Sequence, residues 1–166
     1  MKLYHGSDVA VRSPLANVGR EKVDFGQGFY LTKLRGQAES WAKTIASRGR
    51  NRKAFLSVFE FDVSAARSNL GSRYKIFDVY DIQWLDYVVD CRAGGNLHDM
   101  FDVVDGGVAN DNVIDTVEDY ENGRITAEQA LGQLAYKKVN HQICIRAQEA
   151  IDLYLRFVES VELTRG

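Results

Sequence analysis

The stretch Asp24-Phe25-Gly26-Gln27-Gly28-Phe29-Tyr30-Leu31-Thr32 is a Gly-x-Gly turn that runs straight into a short aromatic and apolar strand. Glycines at 26 and 28 let the backbone reach φ > 0 and let another group approach closely. Tyr30, just behind them, offers a flat aromatic floor for a planar ligand. At the amino end, Leu3-Tyr4-His5-Gly6-Ser7 places a hydrogen-bonding imidazole beside a backbone with no Cβ. Two such pieces can hold a planar, amide-bearing ring, by stacking on one side and by backbone amides on the other. Each piece also has a plainer reading. A Gly-x-Gly before a strand makes hairpin turns and bulges, and a lone buried histidine is commonly a core residue.

The elements that must position these groups follow from periodicity. Residues 2–5 read as a strand, and a long loop with the sole proline, Pro14, leads to a second strand at Phe29–Thr32. Ala38, Trp41, Ala42 and Ile45 recur at helical spacing and predict a helix over Gln37–Arg48, with Gly49 as its C-cap. Ala54–Val63 alternates strictly and is the strongest strand signal in the chain. Ser64–Arg67 reads as a turn and Arg73–Phe77 as a short strand. Val79–Arg92 reads as a core helix, and Phe101–Ala109 as a strand ending in Gly106-Gly107. Helices are predicted at Val113–Asn122 and Thr126–Tyr136, the second opened by a capping box of Thr126 and Gln129. His141–Ala147 reads as a strand, Gln148–Phe157 as a helix and Val158–Leu163 as a last strand. Strands and helices without a regular βαβ rhythm predict an α+β fold, as one domain over residues 1–166.

Composition sets the bounds. An apolar share of 45% in 166 residues supports a genuine core, and a net charge of −2 makes no general case for nucleic acid or membrane partners. No apolar run approaches the length of a membrane span or a signal peptide, so a soluble cytoplasmic protein is expected. Cys91 and Cys144 lack metal-ligand spacing and read as buried free thiols. The basic cluster Arg48-Gly49-Arg50-Asn51-Arg52-Lys53 reads as a solvated loop, with a phosphate contact as the alternative. Asp102, Asp105 and Asp111 carry no histidine cluster that would make them a metal site. His141 and Cys144 fall on opposite faces of their strand, which excludes a Cys-His nucleophile.

Read together, His5-Gly6-Ser7, Phe25-Gly26-Gln27-Gly28-Phe29-Tyr30 and Asn140-His141-Gln142-Ile143-Cys144-Ile145 resemble a three-part signature. It is that of ADP-ribosyltransferases of the diphtheria-toxin and poly(ADP-ribose) polymerase type. More closely, the chain looks like short bacterial ADP-ribosyltransferase-like proteins with Gln in the third motif, over residues 3 to about 157. The resemblance implies two packed, mostly antiparallel sheets with a nicotinamide cleft between them. It implies NAD+ as substrate, bound by His5, Gly6, Ser7, Phe25, Gly26, Gly28, Phe29 and Tyr30, with no metal. His5 would bond a ribose, Gly6 would hold the carboxamide, and Tyr30 would stack on nicotinamide. Trp41, eleven residues after Tyr30, would be a second stacking ring; its plainer reading is a core aromatic. The acceptor would be an intracellular macromolecule, protein or nucleic acid. The habit of such proteins is toxin-like, under control of a cognate antitoxin or immunity partner.

The chemistry is glycosidic. The bond from nicotinamide to ribose C1′ breaks through an oxocarbenium-like state, and the site must stabilise positive charge there. Gln142 stands where the better-known enzymes carry Glu. Its amide still accepts a hydroxyl, yet it supplies no negative charge. Three readings follow: a slow transferase or NAD glycohydrolase, a substitute carboxylate, or a module that binds NAD or ADP-ribose without turnover. The substitute candidates are Asp111, Asp105 and Asp24, with Asp111 preferred; its plainer reading is a helix N-cap. His5, Tyr30, Gln142 and Asp111 are thus the expected catalytic set.

Overall fold

The alternating run at Ala54–Phe61 becomes β3, the middle strand of an antiparallel sheet ordered β1-β3-β7, with β1 at Lys2–Ser7 and β7 at Leu155–Leu163. These assignments come from a computed structural model, which describes residues 1–110 and 113–164. A second sheet has the order β2-β6-β5-β4, made by β2 (Phe29–Leu31), β6 (His141–Ile145), β5 (Val103–Gly107) and β4 (Tyr74–Phe77). All its pairs are antiparallel except β4 with β5. That parallel pair needs a crossover, and helix α3 (Ile82–Arg92) supplies it. The two sheets meet where β1 passes β2, at a single bridge in which Tyr4 and Thr32 exchange backbone bonds of 2.9 Å. The fold is α+β with two mostly antiparallel sheets, as expected.

Small side chains decide how the first helix sits. In α1 (Arg35–Ser47), Ala38, Ala42 and Ala46 recur every fourth residue and are buried against the first sheet. Trp41 is on the outer side, 46% exposed, with the Arg48 guanidinium 5.4 Å from its ring centre. It is not the core aromatic that helical spacing suggested, because the alanine stripe alone fills the narrow interface.

Strand alternation then divides the apolar residues between two cores. Leu3, Phe29, Leu31, Phe59, Val103 and Ile143 pack together on one face of the second sheet. Phe25, Trp84, Leu85, Val88, Val104 and Cys144 pack on the other, beneath α3, α4 (Ile114–Glu121) and α5 (Ala127–Leu134). Trp84 is fully buried, and its indole N–H donates to the Gly107 carbonyl at 2.6 Å. Cys91 and Cys144 are both buried and unpaired, and burial pushes each thiol up to about 12.

Some element assignments differ from those expected. Ser64–Arg67 is not a turn but part of helix α2 (Val63–Leu70), started by the Asp62 carboxylate accepting from the Ala65 N–H at 3.1 Å. The final helix α6 stops at Tyr154, and β7 begins at Leu155, because the pairing with Phe61 reaches that far. Gly49 does not adopt a left-handed cap; Asn51, at φ 61°, makes the turn instead. The capping box forms as read, with Thr126 and Gln129 each bonding the other's backbone N–H. Among the described residues, no helix is long and apolar enough to cross a membrane.

Candidate functional site

Gly6 shows why the amino-terminal motif needs a glycine. A Cβ there would lie 1.9 Å from the Ala38 carbonyl oxygen and 3.0 Å from the Ala42 nitrogen. The helix rests directly on this backbone. Tyr4 turns its N–H and C=O toward Thr32, so alternation along β1 aims those of Gly6 toward Tyr30. Among the described residues no backbone bond joins Gly6 to Tyr30. The pairing ends there, and the Gly6 groups, buried beneath α1, point at the edge of β2.

One side chain crosses this gap. His5 Nδ1 lies 2.7 Å from the Tyr30 carbonyl oxygen, which can only accept, so Nδ1 carries the proton. Nε2 is then an acceptor, with no hydrogen bond among the described residues. Burial lowers the His5 pKa against the opposing pull of the Tyr30 bond, favouring the neutral ring. Phe29, with its ring centre 4.4 Å from that of His5, seats the imidazole and is itself 7% exposed. A neutral imidazole with a free Nε2 is suited to accepting a sugar hydroxyl.

Tyr30 is a braced platform. Its hydroxyl donates to the Gly26 carbonyl at 2.6 Å and accepts from the Phe25 N–H at 3.1 Å. Phe25 is fully buried and lies parallel to the tyrosine ring, with centres 6.3 Å apart. Phe25 therefore backs Tyr30 and does not itself reach a ligand. Burial, and next the Cys144 thiol beside it, raise the Tyr30 pKa well above its ordinary value. The phenol stays neutral, and its proton is held by the Gly26 carbonyl.

The glycine turn serves this brace. Gly26 has φ 77°, and a Cβ there would press on the His98 ring at 3.0 Å. A Cβ on Gly28 would lie 2.5 Å from the Cys144 sulfur. Its close approach is to strand β6, not to a ligand as expected. Ser7, also expected to bind, uses its hydroxyl within a local turn, donating to the Val9 carbonyl at 2.5 Å.

Gln142 falls on the same face of the second sheet as Tyr30, two residues from Cys144, which pairs with Tyr30 across β2 and β6. It is half-buried, and its amide makes no hydrogen bond among the described residues. Two residues before it, Asn140 ends a polar chain whose bonds the sequence did not reveal. Thr32 Oγ1 donates to Gln37 Oε1 at 2.6 Å, and Gln37 Nε2 donates to Asn140 Oδ1 at 3.0 Å. This links the end of β2, the first turn of α1 and the entry to β6. Its signal was a polar residue at the start of the helix after Tyr30, too common a feature to stand out.

Of the substitute carboxylates, Asp24 is engaged elsewhere. It accepts from Arg92 at 3.1 Å and from the Ala109 N–H at 2.8 Å, latching the glycine turn to the exit of β5. Asp105 is on the sheet face opposite Gln142, since it pairs with Ile143. Neither can act beside Gln142, for reasons of bonding in one case and strand alternation in the other. Asp111 lies outside the described residues. Trp41 makes no ring contact with Tyr30 among the described residues. The structure thus gathers His5, Gly6, Tyr30 and Gln142 on three neighbouring strands.

A family model matches residues 1–157, nearly the whole chain. The chain belongs to the family described as Protein of unknown function (DUF3990). No curated protein and no solved structure matches it. Membership therefore assigns no chemistry, and the function must be argued from the site.

Proposed function

We propose that the protein binds NAD+ at the parting of β1 and β2 and acts as a mono-ADP-ribosyltransferase. The observation that carries this reading is the His5–Tyr30 bond beside the unpaired Gly6 backbone. It sets an acceptor nitrogen and a peptide edge against the backbone of the strand whose next face carries the Tyr30 ring. Nicotinamide fits these three features: its carboxamide pairs with the Gly6 N–H and C=O, and its ring lies on Tyr30. A ribose hydroxyl donates to His5 Nε2, and Gln142 bonds the hydroxyl next to C1′.

In the reaction, the C1′–N bond breaks and its electron pair stays with nicotinamide, whose ring becomes neutral. A lone pair of the acceptor then forms the new bond to C1′, and the acceptor's proton passes to solvent. The acceptor is an intracellular protein or nucleic acid, and the resemblance carries with it a toxin-like role held in check by a cognate antitoxin or immunity partner. No carboxylate with a described side chain joins Gln142, and this specific feature favours a second reading: a module that binds NAD+ or ADP-ribose without turnover.

Calorimetric titration with NAD+, followed by an assay of released nicotinamide, separates the readings. Binding with release supports the transferase. Binding alone supports the module, and no heat at millimolar NAD+ removes both.

A further inference from the structure

The other face of the second sheet holds a cleft of about 970 Å³ that the NAD+ reading does not use. Four cations line it, Lys33, Arg67, Lys137 and Lys138, against the carboxylates of Asp78 and Asp105. The lysines at 137 and 138 have no partner among the described residues. Such a rim suits phosphate. The floor does not. Asp105 is 3% exposed, and its Oδ1 is buried without a hydrogen bond. His141 Nδ1 stands 3.6 Å from Oδ1, and Lys33 Nζ pairs its charge with Oδ2 at 3.9 Å, but both are beyond hydrogen-bond reach. A buried carboxylate without donors is costly, and a bare anion would add repulsion to that cost.

We propose that this cleft binds a sugar phosphate, with the sugar hydroxyls donating to Asp105 and the phosphate held by Lys33, Lys137 and Lys138. Hydroxyls supply the donors that the floor lacks, and phosphate answers the excess of positive charge at the rim. Neither half of the ligand satisfies the cleft alone. His141 and Asp105 face away from Gln142, so the groups that bind here differ from those of the NAD+ reading, although Asn140 borders both.

The test compares ribose 5-phosphate, ribose and inorganic phosphate by calorimetry, with amide and imidazole chemical shifts locating each. Ribose 5-phosphate is expected to bind at least about tenfold tighter than either half, shifting His141 and leaving Tyr30 unmoved. Asp105→Asn should lower that preference over phosphate about tenfold and raise phosphate affinity, since a repulsive charge is gone. The double variant Lys137→Gln, Lys138→Gln changes only exposed side chains and should weaken both phosphate-bearing ligands about tenfold, whether or not the Asp105 variant folds. Equal affinities for phosphate and ribose 5-phosphate, or shifts confined to Tyr30 and Gln142, would overturn the proposal. An NAD+ titration of Tyr30→Ala reports on the other gap, so failure of one site is distinguishable from failure of the other.

Discussion

His5 Nδ1 donates to the backbone carbonyl of Tyr30 at 2.7 Å, and so ties the first sheet to the second at the point where their strands part. One bond fixes three things. It sets the tautomer of His5, holds the strand that carries the Tyr30 ring, and takes the Tyr30 carbonyl that would otherwise pair with Gly6. The ring is neutral because burial outweighs the bond in setting its pKa.

A pH dependence follows from that lowered pKa. The folded protein binds a proton at His5 less readily than the unfolded chain does. Its contribution to stability is therefore complete above the ordinary histidine pKa of about 6.5 and is lost as pH falls through the folded value. Urea denaturation is expected to show declining stability from pH 7.5 toward 5. His5→Gln should flatten that slope. A variant with the full wild-type slope would show that His5 is not its source.

Tyr30→Phe and Tyr30→Ala separate the phenol's two tasks. The hydroxyl satisfies the Gly26 carbonyl and the Phe25 N–H, so Phe is expected to cost about 1–2 kcal/mol of stability. The ring survives in Phe, so NAD+ affinity should fall little. Ala removes the ring and should weaken NAD+ binding much more than Phe does. Thermal unfolding and calorimetry on the two variants check both halves; equal affinities would remove Tyr30 from the binding surface.

How much of this was legible in the sequence depended on the range of the interaction. Local rules carried the elements: the capping box at Thr126, the alternation of Ala54–Phe61 and the core helix within Val79–Arg92 all stand. Glycine positions were visible, but not their neighbours. Gly28 was read as room for a ligand, and it is room for Cys144, more than a hundred residues away. Asp62 lies within the alternating run Ala54–Val63, yet it caps a helix, because the eight residues of α2 are too few to show a clear period. The network from Thr32 through Gln37 to Asn140 joins three elements, and its trace in each is a single polar residue of a common kind.

Gly6→Ala tests the seat of α1. The added carbon would meet a helix backbone carbonyl at 1.9 Å, and neither the strand nor the helix can turn aside as a side chain would. Destabilisation should reach or exceed the upper end of the about 1–3 kcal/mol typical of overpacking. Chemical denaturation of soluble protein measures it. A loss under about 0.5 kcal/mol, within the range of surface substitutions, would mean that the helix is free to shift.

Native thiol reactivity offers a test of the second sheet's packing. With both thiols pushed up to about 12 by burial, Cys91 and Cys144 should resist iodoacetamide at pH 8 and react fully in denaturant. Rapid labelling of Cys144 in the native protein would contradict its place beneath Tyr30, at 0% exposure.

Gln142→Glu addresses the catalytic question directly. The replacement is nearly isosteric, and the present amide has no hydrogen bond to lose among the described residues. The fold should therefore tolerate it, provided the new charge keeps contact with solvent at this half-buried position. If the gap binds NAD+ as proposed, a carboxylate there meets the positive charge developing at C1′, which the amide cannot do. One well-placed electrostatic group is worth about 3–4 kcal/mol in a transition state, or roughly 10²–10³ in rate. Nicotinamide release should rise by at least about tenfold in Gln142→Glu, with NAD+ affinity little changed, since the gain is confined to the transition state. Asp111→Asn is the companion: loss of the wild-type's residual release with binding intact would make Asp111 the native source of charge, and no change would remove it from the reaction. NAD+ binding without any gain in Gln142→Glu would place Gln142 away from the reacting carbon and leave the binding module as the function of this cleft.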